Sequence, residues 1–329
     1  DCSAECRVKT EGGLLLSTRM SLRAAGEAFS PLRWNDQLMR AFRLAYDGRP
    51  FYGFQRQPSV PTVEGALFDG LRALSVLPPA ADKPTGYAAA GRTDAGVSAV
   101  AQTVAFECPD WLSPRALNSE LPATIRAWAS TDVTDDFHAT HDATRRAYVY
   151  QLYAPQARDD ADSPASNGRT LDGRPTIDDD RVADAVDALT GFHDFHNLTP
   201  DDTGTERDLT ATLDRDGDML VFTIAAGGFP RHFVRRFIAV VQAVGSGNKP
   251  VSWIDSLLGE TPVDPRPQTA SPEPLVLSAV EYPGIDFERD PHAAASGAAA
   301  FGERALDALV GHRVTTRLAA HLDGAEDNL

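Results

Sequence analysis

Asp94 is the only acid between Asp82 and Glu107, and it sits in the run Gly91-Arg92-Thr93-Asp94-Ala95-Gly96-Val97. A guanidinium two residues away favours the anionic form of a carboxylate. An ionised carboxylate in a basic setting can act as a covalent nucleophile. Gly91 and Gly96 would let a ligand approach the backbone closely. The plain alternative is a turn, in which the aspartate bonds its own backbone and Gly96 supplies a positive φ.

The acids are also missing elsewhere. They make up 47 of 329 residues, so a stretch of 36 should hold about five. Met219 to Ile254 is such a stretch and holds none, yet it keeps Arg231, Arg235, Arg236 and Lys249. Gly48 to Val63 keeps Arg49 and Arg56 without an acid, and Ala143 to Arg158 keeps Arg145, Arg146 and Arg158. Burial excludes arginine as well as acids, so burial alone does not account for the pattern. Were these windows to converge, they would form a positive cleft on a negative body, suited to a polyanion such as nucleic acid. Tyr52, Phe54, Tyr148 and Tyr150 interleave with the arginines and offer rings on which a splayed-out base could stack. Arg231 and Arg235 lie four apart, so on a helix they share a face, with Arg236 at its edge. The alternative for that pair is a surface salt bridge or simple solvation.

Strands and helices must position these groups. Phe42, Leu44 and Tyr46 alternate as a strand does and end at the turn signal Asp47-Gly48. Thr62 can cap a helix with the apolar face Val63, Ala66, Leu67, Leu71 and Leu74. Ala99 to Phe106 reads as a strand, and Ser113-Pro114 as a helix start. Arg145 to Tyr153 is expected to be a strand with Tyr148 and Tyr150 on one face. Residues 155–180 read as a polar loop unable to bury enough apolar area to order itself. Ile177, Val182, Ala185, Val186 and Leu189 form a helix face closed by Gly191. Met219 to Ala226 is a strand, Phe233, Phe237, Val240, Val241 and Val244 stripe the next helix, and Leu275 to Val280 is a last strand. Strand–helix–strand order repeats on either side of residue 137. The expected fold class is α+β, with two similar domains, each a mainly antiparallel sheet with helices on one face, and a cleft between them. The expected division is a poorly ordered or non-native extension over 1–38, domains over 39–137 and 138–284, and a tail over 285–329 with one amphipathic helix.

Composition bounds the setting. The net charge is −16, with 34 Asp against 13 Glu and 28 Arg against three Lys. Residues 1–38 are neutral, so the whole excess lies downstream. A surface rich in Asp and poor in Lys suits high salt, where a Debye length of about 3 Å at 1 M screens self-repulsion. Cys2, Cys6 and Cys108 support neither a disulfide framework nor a cysteine zinc site. No run approaches the roughly 18 apolar residues of a membrane span. Leu14 to Leu16 is too short for a signal-peptide core of about 7–15 residues. A cytoplasmic protein without membrane partners is the expectation.

The motifs taken together resemble the tRNA pseudouridine synthase A family, from about Phe42 to Pro283. YDGRPFYGFQRQ (Tyr46 to Gln57) is similar to its first strand and loop, and AGRTDAGV (Ala90 to Val97) to its catalytic loop. DDFHA (Asp135 to Ala139), RRAYVY (Arg145 to Tyr150), GFHDF (Gly191 to Phe195) and FPRHFVRR (Phe229 to Arg236) follow in family order. The resemblance implies an isomerase that converts uridine to pseudouridine in the anticodon stem-loop of tRNA, as a homodimer without metal or organic cofactor. It implies that Asp94 is the nucleophile, that Tyr148 stacks on the target base and helps remove its proton, that Arg235 pairs with the catalytic carboxylate, and that Arg92 assists in displacing the base. Arg56, Arg145, Arg146, Arg231 and Arg236 are the expected further RNA contacts. Ser98, Thr140 and Leu198 depart from the family pattern. The acidic, lysine-poor composition is that expected of a member from a halophilic archaeon. Two other classes remain at this point. A catalytically silent RNA-binding module would use the same cleft but lose one of Asp94, Tyr148 and Arg235. An aspartate-nucleophile phosphate-ester hydrolase would need metal-ligating acids near Asp94, where the sequence is poorest in them.

Overall fold

The alternation at Phe42, Leu44 and Tyr46 belongs to a strand, β1 (Gln37–Tyr46), in the computed structural model, which describes residues 37–155 and 176–322. Phe42 and Leu44 are fully buried, so the apolar set lies on the core face. β1 is central to its half of the sheet. It pairs antiparallel with β3 (Ser98–Pro109) on one side and β4 (Ile125–Asp132) on the other. A two-residue β2 (Ala88–Ala89) also pairs with β3, just upstream of the Asp94 loop.

The second half begins with β5 (Arg145–Tyr153), which has the expected bounds. Beyond it lie β8 (Met219–Ala226), β7 (Glu206–Asp216) and β6 (Gly191–Asp194), all antiparallel. On its other side β5 pairs with β9 (Leu275–Glu281). β9 then meets β3 in parallel over two positions, Ser98 with Val276 and Ala99 with Leu277. One mixed sheet therefore runs through both halves, closed at one edge by β10 (Glu288–Arg289). This seam positions the chemistry. The Asp94 loop ends where β3 begins, and Tyr148 on β5 pairs with Leu277 on β9, beside a register shift between Ala147 and Tyr148. Such shifts re-aim a side chain.

Six helices are present among the described residues. α1 (Val63–Ala73) starts at Thr62, whose Oγ1 accepts from the Gly65 amide, and α2 (Pro114–Glu120) starts at Ser113, whose Oγ accepts from Ala116. Each cap satisfies an amide with no partner inside its helix, worth about 1 kcal/mol. Leu67, Leu71 and Leu117 pack with Phe42, Leu44 and Phe106 in one buried cluster. α3 (Asp179–Leu189) and α4 (Phe233–Gly245) pack with Tyr150, Phe222 and Ile224 in a second, near α5 (Trp253–Leu258).

Several expectations need correction. Asp178 to Asp180, read as the end of a polar loop, begin α3. Asp178 accepts from the Arg181 amide, and Asp179 and Asp180 fill the first turn, where acids oppose the helix dipole favourably. Gly191 does not cap that helix; Thr190 ends it in extended backbone and Gly191 opens β6. The segment after 285, expected to hold one amphipathic helix around Ala305, Leu306 and Leu309, carries α6 (Pro291–Leu322), 32 residues long. α6 packs against β4 and also touches α2. The Cβ of Arg126 lies 3.5 Å from where a Gly297 Cβ would be, whereas Ile125 and Ala127 join the α1–α2 core. Arg304 ties the helix to Asp47 at 3.1 Å. A side-chain bond from Arg49, assisted by Arg304, holds the Asp47 carboxyl below the usual carboxylate range. No helix of the described residues is long and apolar enough to cross a membrane. The extension expected over 1–38 lies outside the described residues except for Gln37 and Leu38, as do 156–175 of the expected loop.

Candidate active site

The Asp94 loop is held from three sides. The buried Tyr46 hydroxyl, at the end of β1, is 2.8 Å from Thr93 Oγ1. Gln102 Nε2, on β3, donates to the Gly91 carbonyl at 2.9 Å. The Phe54 amide donates to the Thr93 carbonyl, and the Gly96 amide to the Phe51 carbonyl. The Val97 amide closes a turn on the Asp94 carbonyl. Gly96 has φ +82, and a Cβ there would press on Pro272 at 3.0 Å. That glycine is needed for backbone shape, not ligand approach. Gly91 meets nothing within 4 Å and keeps the open side expected of it. The turn reading and the functional reading of Asp94 are thus compatible: the turn presents the carboxylate.

The Asp94 side chain is 29% exposed, and its two oxygens face different groups. Arg235 Nη1 donates to Oδ2 at 3.0 Å, and His232 Nε2 stands 3.7 Å from Oδ1. Arg235 is itself locked. Its Nε donates to the Ala270 carbonyl at 2.8 Å, its Nη2 to Thr269 Oγ1 at 3.1 Å, and the Ala270 amide returns a bond to the Arg235 carbonyl. A planar fork with several fixed donors is what arginine supplies and lysine does not. His232 precedes α4 with φ +60, a left-handed conformation unusual for a residue with a Cβ. Sequence reading missed His232. The signal available was its place inside FPRHFVRR, but nothing in residue type or spacing foretells a left-handed backbone.

Tyr148 is packed where the two apolar clusters meet, edge-on to Phe229 with ring centroids 5.3 Å apart. Phe229 stacks in turn on Phe233 at the start of α4. Burial pushes the Tyr148 phenol up to about 12, opposed by Arg146 and assisted by Asp94. At neutral pH it is a neutral phenol.

A cavity of about 780 Å³ joins these groups. Asp94, Arg92, Tyr148, Arg235 and His232 line one part of it, and Phe54, Arg56, Lys83 and Tyr87 another. Seven cationic side chains line it (Arg56, Lys83, Arg92, Arg146, Arg207, Arg231 and Arg235) against three acids (Glu64, Asp82 and Asp94). The acid-poor windows do converge, and a positive cavity stands on a chain of net charge −16. Arg207 was not anticipated; it lies in the charged strand β7, between β6 and β8, and donates to the Gly228 carbonyl at 2.7 Å.

The remaining candidates divide. Arg92 is exposed in the cavity wall. Arg56 and Arg231 line the cavity while paired with Asp82 and Asp201. Arg231 precedes α4, so the helical spacing invoked for Arg231 and Arg235 does not apply; the turn at His232 brings both to the cavity. Arg146 is a clamp. It donates to the carbonyls of Ala90, Thr140 and Gly227 and ties three wall segments together. Arg145 lies 4.0 Å from Glu281 and Arg236 donates to the Pro267 carbonyl; neither lines the cavity. Of the aromatic set, Phe54 and Tyr148 reach the wall, whereas Tyr52 is exposed elsewhere and Tyr150 is buried in the second cluster.

A family model described as tRNA pseudouridine synthase matches residues 185–283. Relatives named tRNA pseudouridine synthase A match far more of the chain. The protein of Haloarcula marismortui is 52% identical over 86% of this chain and 98% of its own length. That of Natronomonas pharaonis is 51% identical over 85% and 98%, and that of Halobacterium salinarum 51% over 86% and 98%. The chain belongs to the tRNA pseudouridine synthase A family. These relatives come from halophilic archaea, in keeping with the Asp-rich, Lys-poor composition. The departures of this family member have local accounts. Ser98 Oγ accepts from the Gly48 amide at 3.0 Å, Thr140 Oγ1 donates to the Ala89 carbonyl, and Leu198 is fully buried. Of the three, Thr140 lines the cavity, whereas Ser98 and Leu198 do not.

Proposed function

We propose that this protein converts uridine to pseudouridine in the anticodon stem-loop of tRNA, with Asp94 as nucleophile. The reading rests above all on the Asp94–Arg235 pair at 3.0 Å, set in a cavity lined by seven cationic side chains. Family membership and the relatives' names support the substrate. The target uridine leaves the helical stack and enters the cavity, at a cost of a few kcal/mol that new contacts offset. Stacking on the Tyr148 ring returns about 1–3 kcal/mol. Arg235 holds Oδ2 by a hydrogen bond, so Oδ1, with His232 Nε2 at 3.7 Å, is the oxygen left to attack. Its electron pair forms a covalent bond to the nucleoside as the bond from ribose to the uracil nitrogen breaks. The detached uracil turns, carbon 5 bonds to the ribose carbon, and Asp94 is released. Carbon 5 loses its proton and the former glycosidic nitrogen gains one, so atoms balance without oxidant or energy donor.

Arg92, exposed at the cavity edge, meets phosphate and helps displace the base. Arg56 and Arg231 supply further positive wall. The two halves of the chain, 39–137 and 138–284, act as two domains meeting at the β3–β9 seam, and the enzyme works as a homodimer. The two buried clusters support the first of these statements, and the exposed apolar residues of α6 the second. The silent RNA-binding reading is disfavoured because Asp94, Tyr148 and Arg235 are all present around one cavity. The deciding experiment is tritium release from tRNA labelled at uridine carbon 5, with Asp94→Asn as control. Release by the unmodified protein and none by the variant supports the reading; binding of tRNA without release leaves the silent module.

A further inference from the structure

From Glu303 onward α6 runs almost fully exposed to Leu322, about 30 Å of helix. Leu306, Val310, Val314, Leu318 and Leu322 recur every four residues along it, joined by Leu309, with exposures from 54% at Val310 to 84% at Leu322. Residues four apart are turned by about 40° on an α-helix, so the apolar positions form a slowly winding, unbroken stripe. Exposed apolar surface of this extent marks an interaction face.

The charges choose the occupant. Asp307 and Arg313 stand three residues before and after Val310, Glu303 and Arg317 seven before and after, and Leu306 and Val314 four before and after. The acids precede the centre and the arginines follow it. Two antiparallel copies related by a two-fold axis at Val310 would set Asp307 opposite Arg313 and Leu306 opposite Val314, twice over. Glu303 would fall opposite Arg317. This is the self-complementarity of an isologous contact. A parallel pair would place acid on acid and arginine on arginine. A polyanion would meet Glu303 and Asp307.

We propose that residues 303–317 of α6 are a self-association face, pairing antiparallel with the same residues of a second copy about Val310. This rests on the homodimer reading above and names its surface. High salt strengthens apolar burial and leaves only charges in direct contact unscreened, so association persists in concentrated KCl rather than fading.

Sedimentation of the full chain in concentrated KCl at micromolar protein tests it. The unmodified chain sediments as a dimer. Val310→Glu sets two carboxylates together at the axis and raises the dissociation constant at least ~100-fold, giving monomer. Circular dichroism stays unchanged, because Val310 is exposed on the single chain and packs in no core of its own. Asp307→Arg alone and Arg313→Asp alone weaken the dimer, and the double variant restores it. A monomeric unmodified chain overturns both the surface and the homodimer reading. A dimer indifferent to Val310→Glu overturns the surface and leaves the homodimer. A double variant no tighter than the singles overturns the antiparallel register.

Discussion

Replacing Arg235 by lysine keeps the positive charge and removes the fork. Arg235 makes three side-chain bonds, to Asp94 Oδ2 at 3.0 Å, the Ala270 carbonyl at 2.8 Å and Thr269 Oγ1 at 3.1 Å. A single ammonium cannot occupy all three donor positions. The arginine is 17% exposed and the aspartate 29%, so solvent screens the pair only in part. A lost hydrogen bond to a charged group is worth about 1.5–3 kcal/mol. If the whole loss falls on the step in which Asp94 reacts, kcat drops about 10–150-fold. Arg235 reaches Asp94 rather than the cavity edge, so KM for tRNA changes little. The assay is steady-state tritium release, with Arg236→Lys as control, because Arg236 donates to the Pro267 carbonyl away from the cavity. A kcat within twofold of the unmodified enzyme, or a loss confined to KM, would refute the reasoning.

Four further outcomes are expected. The buried phenols Tyr46, Tyr87 and Tyr148 are all pushed above the ordinary tyrosine value, Tyr148 to about 12, so each favours the folded state while protonated. Their contribution is complete below about pH 10 and is lost as pH rises toward 12; phenolate absorbance should therefore appear together with unfolding, and ionisation of all three in a folded chain would contradict this. His232→Gly preserves the left-handed backbone and removes the imidazole beside Asp94, so turnover falls with stability kept. His232→Ala keeps a Cβ in the left-handed region and is therefore less stable than His232→Gly by about 1 kcal/mol, and equal melting of the two variants would count against that account. Arg92→Ala lowers tRNA affinity and reduces the slope of log affinity on log salt by about one. Arg146→Ala instead frees wall segments at Ala90, Thr140 and Gly227 and lowers kcat and melting together.

What the sequence disclosed followed from which residues carried one-dimensional signals. Thr62 and Ser113 announced their helices because a capping hydroxyl acts within three residues. β5 and β8 were legible from their apolar and aromatic content. β7 was not, because charged residues fill both ends of Glu206 to Asp216 and leave only Leu209, Ala211 and Leu213 as an apolar set; it pairs with β6 and β8. α6 was expected as one amphipathic helix, but its length was not legible, because Leu306 and its successors cover no core. The same division runs through the site. Asp94, Tyr148 and Arg235 stood out by motif and by the absence of competing acids. His232, Arg207 and the Thr269–Ala270 anchor did not, since their roles exist only once the chain has folded. Arg146 was expected on RNA and lies among carbonyls, because positive charge in a sequence does not say what a guanidinium donates to.

The central claim is that the Asp94 carboxylate is the reacting group, and Asp94→Asn tests it most directly. The amide keeps the size and the turn of the loop and removes the nucleophile. Tritium release from uridine-labelled tRNA should fall to background while tRNA binding and melting stay near those of the unmodified protein. Release at an appreciable fraction of the unmodified rate, with the substitution verified by mass, would contradict the account.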